Sequence, residues 1–522
     1  MKIIILIMFL LFTTNIIAGD YTKGLNNPKT QEKTLNEILA FGEDANVNVK
    51  TLLNLLKKDD EKISKLTFKV ILIVGSDTEI EKAIKIAVNS KHKTIVTIAI
   101  DKLKNLKDKE LLASIVVDLL DSKDKLIKGK AILMAGNLKI KKSVNKLSNI
   151  LLDTYVTQHI SLNKQAAKVL GQIGDTKAIS ALIKGLFIKK DFKSTNNKGT
   201  TFVFARNSLV KFGKDALKEV IKALNNENSD FNSFVRDNKL IPSNVRYNLI
   251  IMIGELGNRS NYNILKKYIN DEDLGVRVLT EKIIGTFGIK KSISVLIKKY
   301  KKLKKELRIT KDNEVIKNIS REINQINYSL AMIGGKKVEK HFVKEILSKP
   351  LKTENKIHYE LIFSALESFL NFASYRYYKV YKKAYRKVKG KNNKQKIKEY
   401  LDIMLVAKKC KNKVKCYAKY LDDKKNIKDV KLYNSKKIKA IYMLSSFKKA
   451  KKRKLALSVI LNKGLLDKDP EIREAAAIAV YKLARKSDIP KIEKFIKKAN
   501  DLEYLKREKN RFYKILINVK NK

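Results

Sequence analysis

Apolar residues recur along most of the chain in short stretches with the period of an α-helix, and a glycine ends many of these stretches. In the clearest example the first stretch runs from Ala166 to Gly174, and Ala178, Leu182 and Leu186 then follow at four-residue spacing. That spacing is typical of the apolar stripe of an amphipathic helix. Because glycine can adopt the left-handed conformation that ends a helix, the pattern predicts two helices joined by a turn.

The same pattern recurs at the length of one helical hairpin. Successive glycines are separated by 38, 39, 44, 31 and 46 residues. These glycines are Gly136, Gly174, Gly213, Gly257, Gly288 and Gly334. A single hairpin cannot bury its apolar stripe, so successive hairpins must stack on one another. The sequence therefore predicts an all-α fold, an α-α superhelix (solenoid) of stacked hairpins.

Two acidic–basic patterns lie at the start of predicted hairpins. Asp469 and Pro470 are followed by Arg473 and a run of alanines, and Asp273 with Arg277 repeats the spacing. Here the chain resembles the HEAT-repeat family, including its short bacterial variety. The resemblance implies a solenoid in which such Asp and Arg side chains tie one repeat to the next. It implies this structural role for four residues only: Asp273, Arg277, Asp469 and Arg473.

The clarity of the repeat varies along the chain and divides it into four helical parts behind a leader segment. The predicted parts are a helical N-terminal region of degenerate repeats (19–124), a HEAT-like block (125–350) with a polar helical insertion near 301–321, an irregular helical bridge (351–434), and C-terminal HEAT-like repeats (435–522).

The first residues have the layout of a secretory signal peptide. Met1 and Lys2 give a short positive start, residues 3–12 are apolar, and small residues permit cleavage after Ala18. Ten uninterrupted apolar residues are too few to span a bilayer comfortably, although an uncleaved anchor is the alternative. No later segment is long and apolar enough to be a transmembrane helix. We therefore expect residues 1–18 to direct export, to the periplasm.

The formal net charge is +60, and lysine supplies 99 of the 113 basic residues. The planar fork of arginine is preferred for bidentate phosphate and guanine contacts, whereas lysine is a compact, strongly hydrated charge. Two interpretations therefore remain open. The charge is compositional and lies on solvated helix faces, or it attracts an anionic partner: an acidic protein, an anionic envelope surface, or nucleic acid.

The chain contains two cysteines, Cys410 and Cys416. In an oxidising compartment such a pair can form a disulfide. Six helical residues would place the two side chains about 240° apart around the helix, so a bond requires a turn between them, for example at 411–413. Two free thiols are the alternative.

A tyrosine-rich basic segment covers residues 375–386. On a helix, Tyr377, Tyr381 and Tyr385 form one row at four-residue spacing. The row is either an aromatic and cationic binding face, since Tyr and Arg are enriched at interaction hot spots, or a core row flanked by outward lysines. The candidate binding face consists of Tyr375, Arg376, Tyr377, Tyr381, Tyr385 and Arg386.

We find no pattern of a catalytic, metal or cofactor site. The four histidines lack the i, i+4 spacing of a helical metal site, and no nucleophile is set beside a plausible base. The favoured function is a non-enzymatic binding scaffold of the cell envelope, with a protein or an anionic polymer as partner. The alternative is nucleic-acid binding like that of the HEAT-like DNA glycosylases, which use Trp and Asp around the damaged base; this chain has no Trp.

Overall fold

The computed structural model describes residues 21–191, 198–348, 355–422 and 427–508, together with 512, 515–516 and 519–520. The predicted signal peptide, residues 1–18, lies outside the described residues. The described residues form 28 α-helices and one short β-hairpin, and they divide into two compact units at the boundary between Lys211 and Phe212. The boundary falls inside the segment 125–350 that the sequence groups as one block.

The first unit is a stack of helical hairpins. Its helices are α1 (Thr22–Asn26), α2 (Gln31–Phe41), α3 (Val49–Leu56), α4 (Glu61–Val74), α5 (Asp77–Val88), α6 (Lys93–Lys102), α7 (Lys109–Leu119), α8 (Lys125–Asn137), α9 (Val144–Leu152), α10 (Ile160–Ile173), α11 (Ile179–Gly185) and α12 (Phe202–Phe212). Helices α2, α4, α6, α8 and α10 pack side by side in one layer, and α3 with α5 and α9 with α11 pack in the other. Strands β1 (Lys189–Asp191) and β2 (Lys198–Thr200) pair antiparallel, with Lys190 opposite Gly199.

The second unit, taken by itself, also has two alternating layers of helices. Its helices are α13 (Lys214–Leu224), α14 (Ser229–Asp237), α15 (Pro242–Leu256), α16 (Tyr262–Lys267), α17 (Leu274–Phe287), α18 (Ile293–Ile309), α19 (Asn313–Ile333), α20 (Lys336–Ile346), α21 (Asn355–Leu370), α22 (Tyr378–Lys387), α23 (Lys391–Cys410), α24 (Val414–Lys419), α25 (Val430–Leu444), α26 (Ala450–Val459), α27 (Pro470–Leu483) and α28 (Ile489–Asn500). From α15 to α27 the odd-numbered helices pack each against the next, and we call them the first layer. The alternating helices α16, α18, α20, α22, α24, α26 and α28 are the second layer. The predicted all-α solenoid of stacked hairpins is confirmed.

The turns between paired helices have the predicted chemistry. Gly174 ends α10 in the left-handed conformation, with φ of 75°. The Asp175 side chain then accepts a hydrogen bond from the backbone of Lys177 at 2.9 Å, which opens the turn into α11. Gly288 ends α17 in the same way, with φ of 63°. These positions tolerate the left-handed backbone because glycine has no Cβ.

Two further glycines allow first helices of successive repeats to approach closely. A Cβ on Gly171 would lie 2.3 Å from the hydroxyl of Ser208, and one on Gly285 would lie 2.7 Å from the Cα of Ser329. In both pairs the serine hydroxyl donates to a carbonyl four residues before the glycine: Ser208 to Ala167 at 2.7 Å, and Ser329 to the backbone of residue 281 at 2.8 Å. The same glycine–serine contact therefore joins repeats in both units.

Candidate binding surface

Arg277 connects two successive repeats of the second unit. It lies in the first turn of α17, and its Nη1 donates to the carbonyls of Asp271 at 2.9 Å and Glu272 at 3.0 Å. Its Nε and Nη2 donate to the two carboxylate oxygens of Glu322 on α19, at 2.8 and 3.0 Å. A bidentate pair of this kind fixes geometry as well as charge. Arg277 thus holds its own preceding loop and the next repeat together.

Arg473 makes the same set of contacts near the end of the chain. Its Nη1 donates to the carbonyls of Asp467 at 2.9 Å and Lys468 at 2.8 Å. Its Nη2 donates to Glu508 at 2.9 Å. The two arginines therefore make corresponding contacts, each with the two carbonyls before its helix and with a more distant glutamate.

The paired aspartates act mainly as helix caps. Asp273 accepts from the backbone of Val276 at 2.9 Å and so caps α17. Asp469 caps α27 in the same way, and its second oxygen accepts from the Asn434 side chain on α25 at 2.7 Å. Only Asp469 therefore reaches a neighbouring repeat through the described contacts.

A buried charge cluster surrounds the Arg277 pair. Lys299 on α18 lies 2.9 Å from Glu281 and 2.5 Å from Glu322, and both carboxylates are almost fully buried. Burial raises the pKa of Glu281 to about 8, against the opposing effect of Lys299. For Glu322 burial also acts upward, but hydrogen bonds from Arg277 and Lys299 outweigh it and lower the pKa. The cluster lies between helices, so its role is structural.

The tyrosine segment does not form one exposed row. Residues 375–377 are a 3₁₀ turn, and α22 begins only at Tyr378. Tyr381 is fully buried and donates to the carbonyl of Leu366 at 2.7 Å. Tyr377 donates to the Glu339 carboxylate at 2.7 Å. The candidate binding face is therefore wrong for Tyr381, which belongs to the core. Its remaining members are half-buried or exposed: Tyr375, Arg376, Tyr377, Tyr385 and Arg386.

A disulfide joins Cys410, the last residue of α23, to Cys416 in α24. The Cα atoms are 5.3 Å apart. The chain turns between the two helices at Lys411, whose φ of 45° lies in the left-handed region. The structure thus places a turn where the sequence required one for the bond to form.

Helix α19 of the first layer contacts two later helices of the same layer, α25 and α27. The hydroxyls of Tyr328 on α19 and Tyr442 on α25 lie 3.5 Å apart. Lys482 on α27 donates to the carbonyl of Met332 at 2.7 Å, and its ammonium lies 4.6 Å from the centre of the Phe372 ring. Burial lowers the pKa of Lys482 to about 7. These contacts join α19 directly to helices three and four places later in the first layer.

Basic residues concentrate in the second layer. Its seven helices contain 28 Lys or Arg and four Asp or Glu in 72 residues. The seven first-layer helices from α15 to α27 contain 18 Lys or Arg and ten Asp or Glu in 115 residues. Helices α22, α24 and α26 contain no acidic residue at all. A protein surface ordinarily intersperses both signs. We call the exposed basic residues of these seven helices the lysine layer.

Most of these charges are not neutralised within the part of the chain that the structure describes. There, the ion pairs of second-layer cations involve Lys299, Lys304 and Arg453, and all three side chains are largely buried. The exposed cations make no such pair in the described residues. Sequence reasoning treated the charge as one total and missed its segregation. Comparing first and second helices of each predicted hairpin separately would have revealed it.

The described residues offer little that resembles a small-molecule site. They contain no cluster of three or more His, Cys, Asp or Glu arranged for a metal ion. A cleft lined by Asp121, Lys146 and Asp153 has a volume of about 130 Å³, well below the roughly 300 Å³ at which ligand pockets begin. None of the described helices is long and apolar enough to cross a bilayer.

A known family of helical repeats matches one hairpin of the chain. Residues 164–187, which cover most of α10 and all of α11, match the PBS lyase HEAT-like repeat. The match falls on the hairpin whose glycine stop, Asp175 cap and Gly171 contact are described above. The chain thus contains a HEAT-like repeat. None of the curated proteins matches the sequence significantly.

Solved structures resemble this protein in fold alone. Importin beta is 11% identical over 95% of this chain and 68% of its own, with a TM-score of 0.42. The complex of CpcE and CpcF of phycocyanin lyase from Nostoc sp. PCC7120 is 15% identical over 56% of this chain and 94% of its own. Human deoxyhypusine hydroxylase is 13% identical over 56% of this chain and 96% of its own. Both structures have a TM-score of 0.21. At these values the similarities carry no argument about function.

Proposed function

We propose that this protein is a non-enzymatic binding scaffold of the cell envelope, whose lysine layer holds an acidic protein or an anionic envelope polymer. The observation that carries the proposal is the lysine layer itself. Of the 28 basic residues in these seven helices, all but Lys299, Lys304 and Arg453 are exposed, and such a surface attracts anions over several ångströms and steers them into contact. The ratio of basic to acidic residues, 28 to four in the second-layer helices against 18 to ten in the first-layer helices, is not expected of a purely compositional charge.

The exposed cations of the second layer also lie outside the contacts that first-layer helices make with one another near Tyr328 and Lys482. There, α19 is in contact with α25 and α27. A partner of this unit therefore meets the second-layer helices without displacing core contacts. The arginines singled out by sequence serve between helices, and this supports a scaffold rather than a reaction centre.

Nucleic acid is the alternative that the sequence left open, and the use of arginine argues against it. Four arginines of the second unit are committed to carboxylates within the protein: Arg246, Arg277, Arg453 and Arg473. The exposed cations are mostly lysines, which lack the planar fork that reads phosphate and guanine bidentately. We therefore favour an acidic protein or polymer.

The envelope location rests on the signal-peptide pattern of residues 1–18 and on the disulfide. Disulfides persist in oxidising compartments and are rare in the cytosol of mesophiles. A bond between Cys410 and Cys416 agrees with export.

Cross-linking in intact cells, followed by affinity capture and fractionation, tests location and partner together. We expect one acidic protein or polymer to be recovered with a protein cleaved near Ala18. The complex should dissociate as salt rises from about 0.1 to 1 M, because the Debye length falls from roughly 10 to 3 Å. Recovery of only heterogeneous material, or of cytoplasmic protein with an intact Met1, would count against the proposal.

A further inference from the structure

One hairpin of the second unit is longer than its neighbours. Helix α18 has 17 residues and α19 has 21, whereas α20 has 11 and α17 has 14. The contacts fix which part is extra. Arg277 in the first turn of α17 pairs with Glu322, so residues 313–318 of α19 lie beyond the start of α17. At 1.5 Å per residue they extend about 9 Å past it.

The extension has its own apolar seam, so it is a defined element. Leu303 and Leu307 on α18 and Ile319 on α19 are buried along the contact between the two helices. At the turn, the Asp312 carboxylate accepts from the backbone of Glu314 at 2.8 Å and Val315 at 3.0 Å, which caps α19. We call residues 302–318 the hairpin tip.

Apolar side chains point into solvent at the hairpin tip. Ile309 is 82% exposed, more than any other large apolar residue of the described chain, and Val315 nearby is 37% exposed. Four exposed cations surround them in sequence: Lys305, Arg308, Lys311 and Lys317. The hairpin tip, residues 302–318, contains six basic residues and three acidic ones, Glu306, Asp312 and Glu314. The hairpin tip thus combines a projecting apolar end with a cationic collar.

We propose that the hairpin tip docks on an anionic lipid membrane, with Ile309 entering the boundary between headgroups and acyl chains and the surrounding cations binding lipid phosphates. Apolar insertion and attraction to anionic headgroups together provide interfacial binding. Lysine and arginine side chains extend along apolar surface while their charges remain among the headgroups. This inference goes beyond the proposed scaffold function and does not depend on the identity of its partner.

The shape of the hairpin tip favours a membrane over a protein partner. Protein hot spots are apolar anchors that fill a matching, desolvated pocket and are enriched in Trp, Tyr and Arg. Ile309 instead projects at the end of a narrow hairpin, where strongly hydrated lysines hinder close desolvated packing. A bilayer surface deforms around such a projection and offers many phosphates at once.

Tryptophan fluorescence tests insertion directly, because the chain contains no tryptophan. Ile309→Trp would introduce one reporter, and Ile241→Trp is the matched control, since Ile241 is also isoleucine in the second unit and 60% exposed. With vesicles of phosphatidylcholine and phosphatidylglycerol, we expect the emission of Ile309→Trp to shift to shorter wavelength and that of Ile241→Trp to stay unchanged. Vesicles of phosphatidylcholine alone should give little shift.

Vesicle sedimentation with charged variants supplies the second measurement. Ile309→Asp should weaken binding to the anionic vesicles by about tenfold or more, because insertion of one large apolar side chain is lost. Ile241→Asp, with the same change of charge, should bind as the unaltered protein does. Replacing Lys305, Arg308 and Lys311 together by glutamine should weaken binding by roughly a hundredfold, at about 1 kcal/mol per basic residue.

The outcomes separate this inference from the proposed scaffold function. No shift for Ile309→Trp, or equal binding by Ile309→Asp and Ile241→Asp, would overturn membrane docking and leave only general attraction by lysines. Loss of the captured envelope partner in Ile309→Asp would also contradict it, since the hairpin tip would then be a protein contact. Partner capture that fails in all variants, while insertion persists, would contradict the scaffold function alone.

Discussion

Replacing Arg277 by methionine is expected to lower the free energy of unfolding by about 3–5 kcal/mol, the usual cost of breaking a buried ion pair from one side. The substitution keeps much of the aliphatic stem but removes the guanidinium. The Glu322 carboxylate, which is about 1% exposed, then loses two hydrogen bonds at 2.8 and 3.0 Å. The carbonyls of Asp271 and Glu272 lose their donor as well. Lys299 remains but must serve both Glu281 and Glu322.

Urea unfolding followed by circular dichroism measures this loss. Arg321→Met is the matched control, because Arg321 precedes Glu322 on α19 but is exposed; we expect its effect to stay within about 0.5 kcal/mol. A double variant of Arg277→Met with Glu322→Gln should recover part of the loss, since no unpaired buried carboxylate is left. A change below about 1 kcal/mol for Arg277→Met would show that the pair does not hold these repeats together.

Replacing Tyr381 by alanine is expected to cost about 3–5 kcal/mol, as for other large buried aromatic side chains. Tyr381 is fully buried against the first layer, and its hydroxyl donates to Leu366. Tyr381→Phe removes the hydrogen bond alone and should cost about 1 kcal/mol. The half-buried Tyr385, one turn further along α22, provides the control, and Tyr385→Ala should cost clearly less. If Tyr381→Ala were as stable as the unaltered protein, Tyr381 would not be a core residue, and the tyrosine row would again be a candidate for an exposed binding face.

The repeat could be predicted because its signals are local. Gly174 and Gly288 stop helices by backbone conformation, and Asp175 opens the next turn by a contact two residues away. Such features need only a few neighbouring residues. The correspondence of Arg277 and Arg473 was likewise visible, because each follows its aspartate by four residues. Local spacing therefore indicated the fold class, and the resemblance to HEAT repeats implied the inter-repeat role of the two arginines.

The sequence pattern could not predict contacts between residues that are distant along the chain. Nothing around Glu322 marks it as the partner of Arg277, 45 residues earlier. Helical spacing placed Tyr377, Tyr381 and Tyr385 on one row, but only the packing of α22 shows that Tyr381 is enclosed and that Tyr377 precedes the helix. The lysine layer could not be predicted from the net charge, because a total charge does not show which helix of each hairpin contains the basic residues.

The central claim is that the position of the charge matters, and affinity for the captured partner in two charge-matched variants tests it most directly. Each variant replaces five exposed lysines by glutamine. In the second layer these are Lys379, Lys383, Lys387, Lys451 and Lys454; in the first-layer helix α23 they are Lys391, Lys394, Lys398, Lys408 and Lys409.

Both variants lose the same net charge, so general electrostatic attraction falls equally. At about 0.2–1 kcal/mol for each exposed charge pair, we expect the second-layer variant to bind the partner at least tenfold more weakly and to depend less steeply on salt. The α23 variant should bind nearly as the unaltered protein does. Equal losses in the two variants, or no loss in either, would contradict a binding role for the lysine layer.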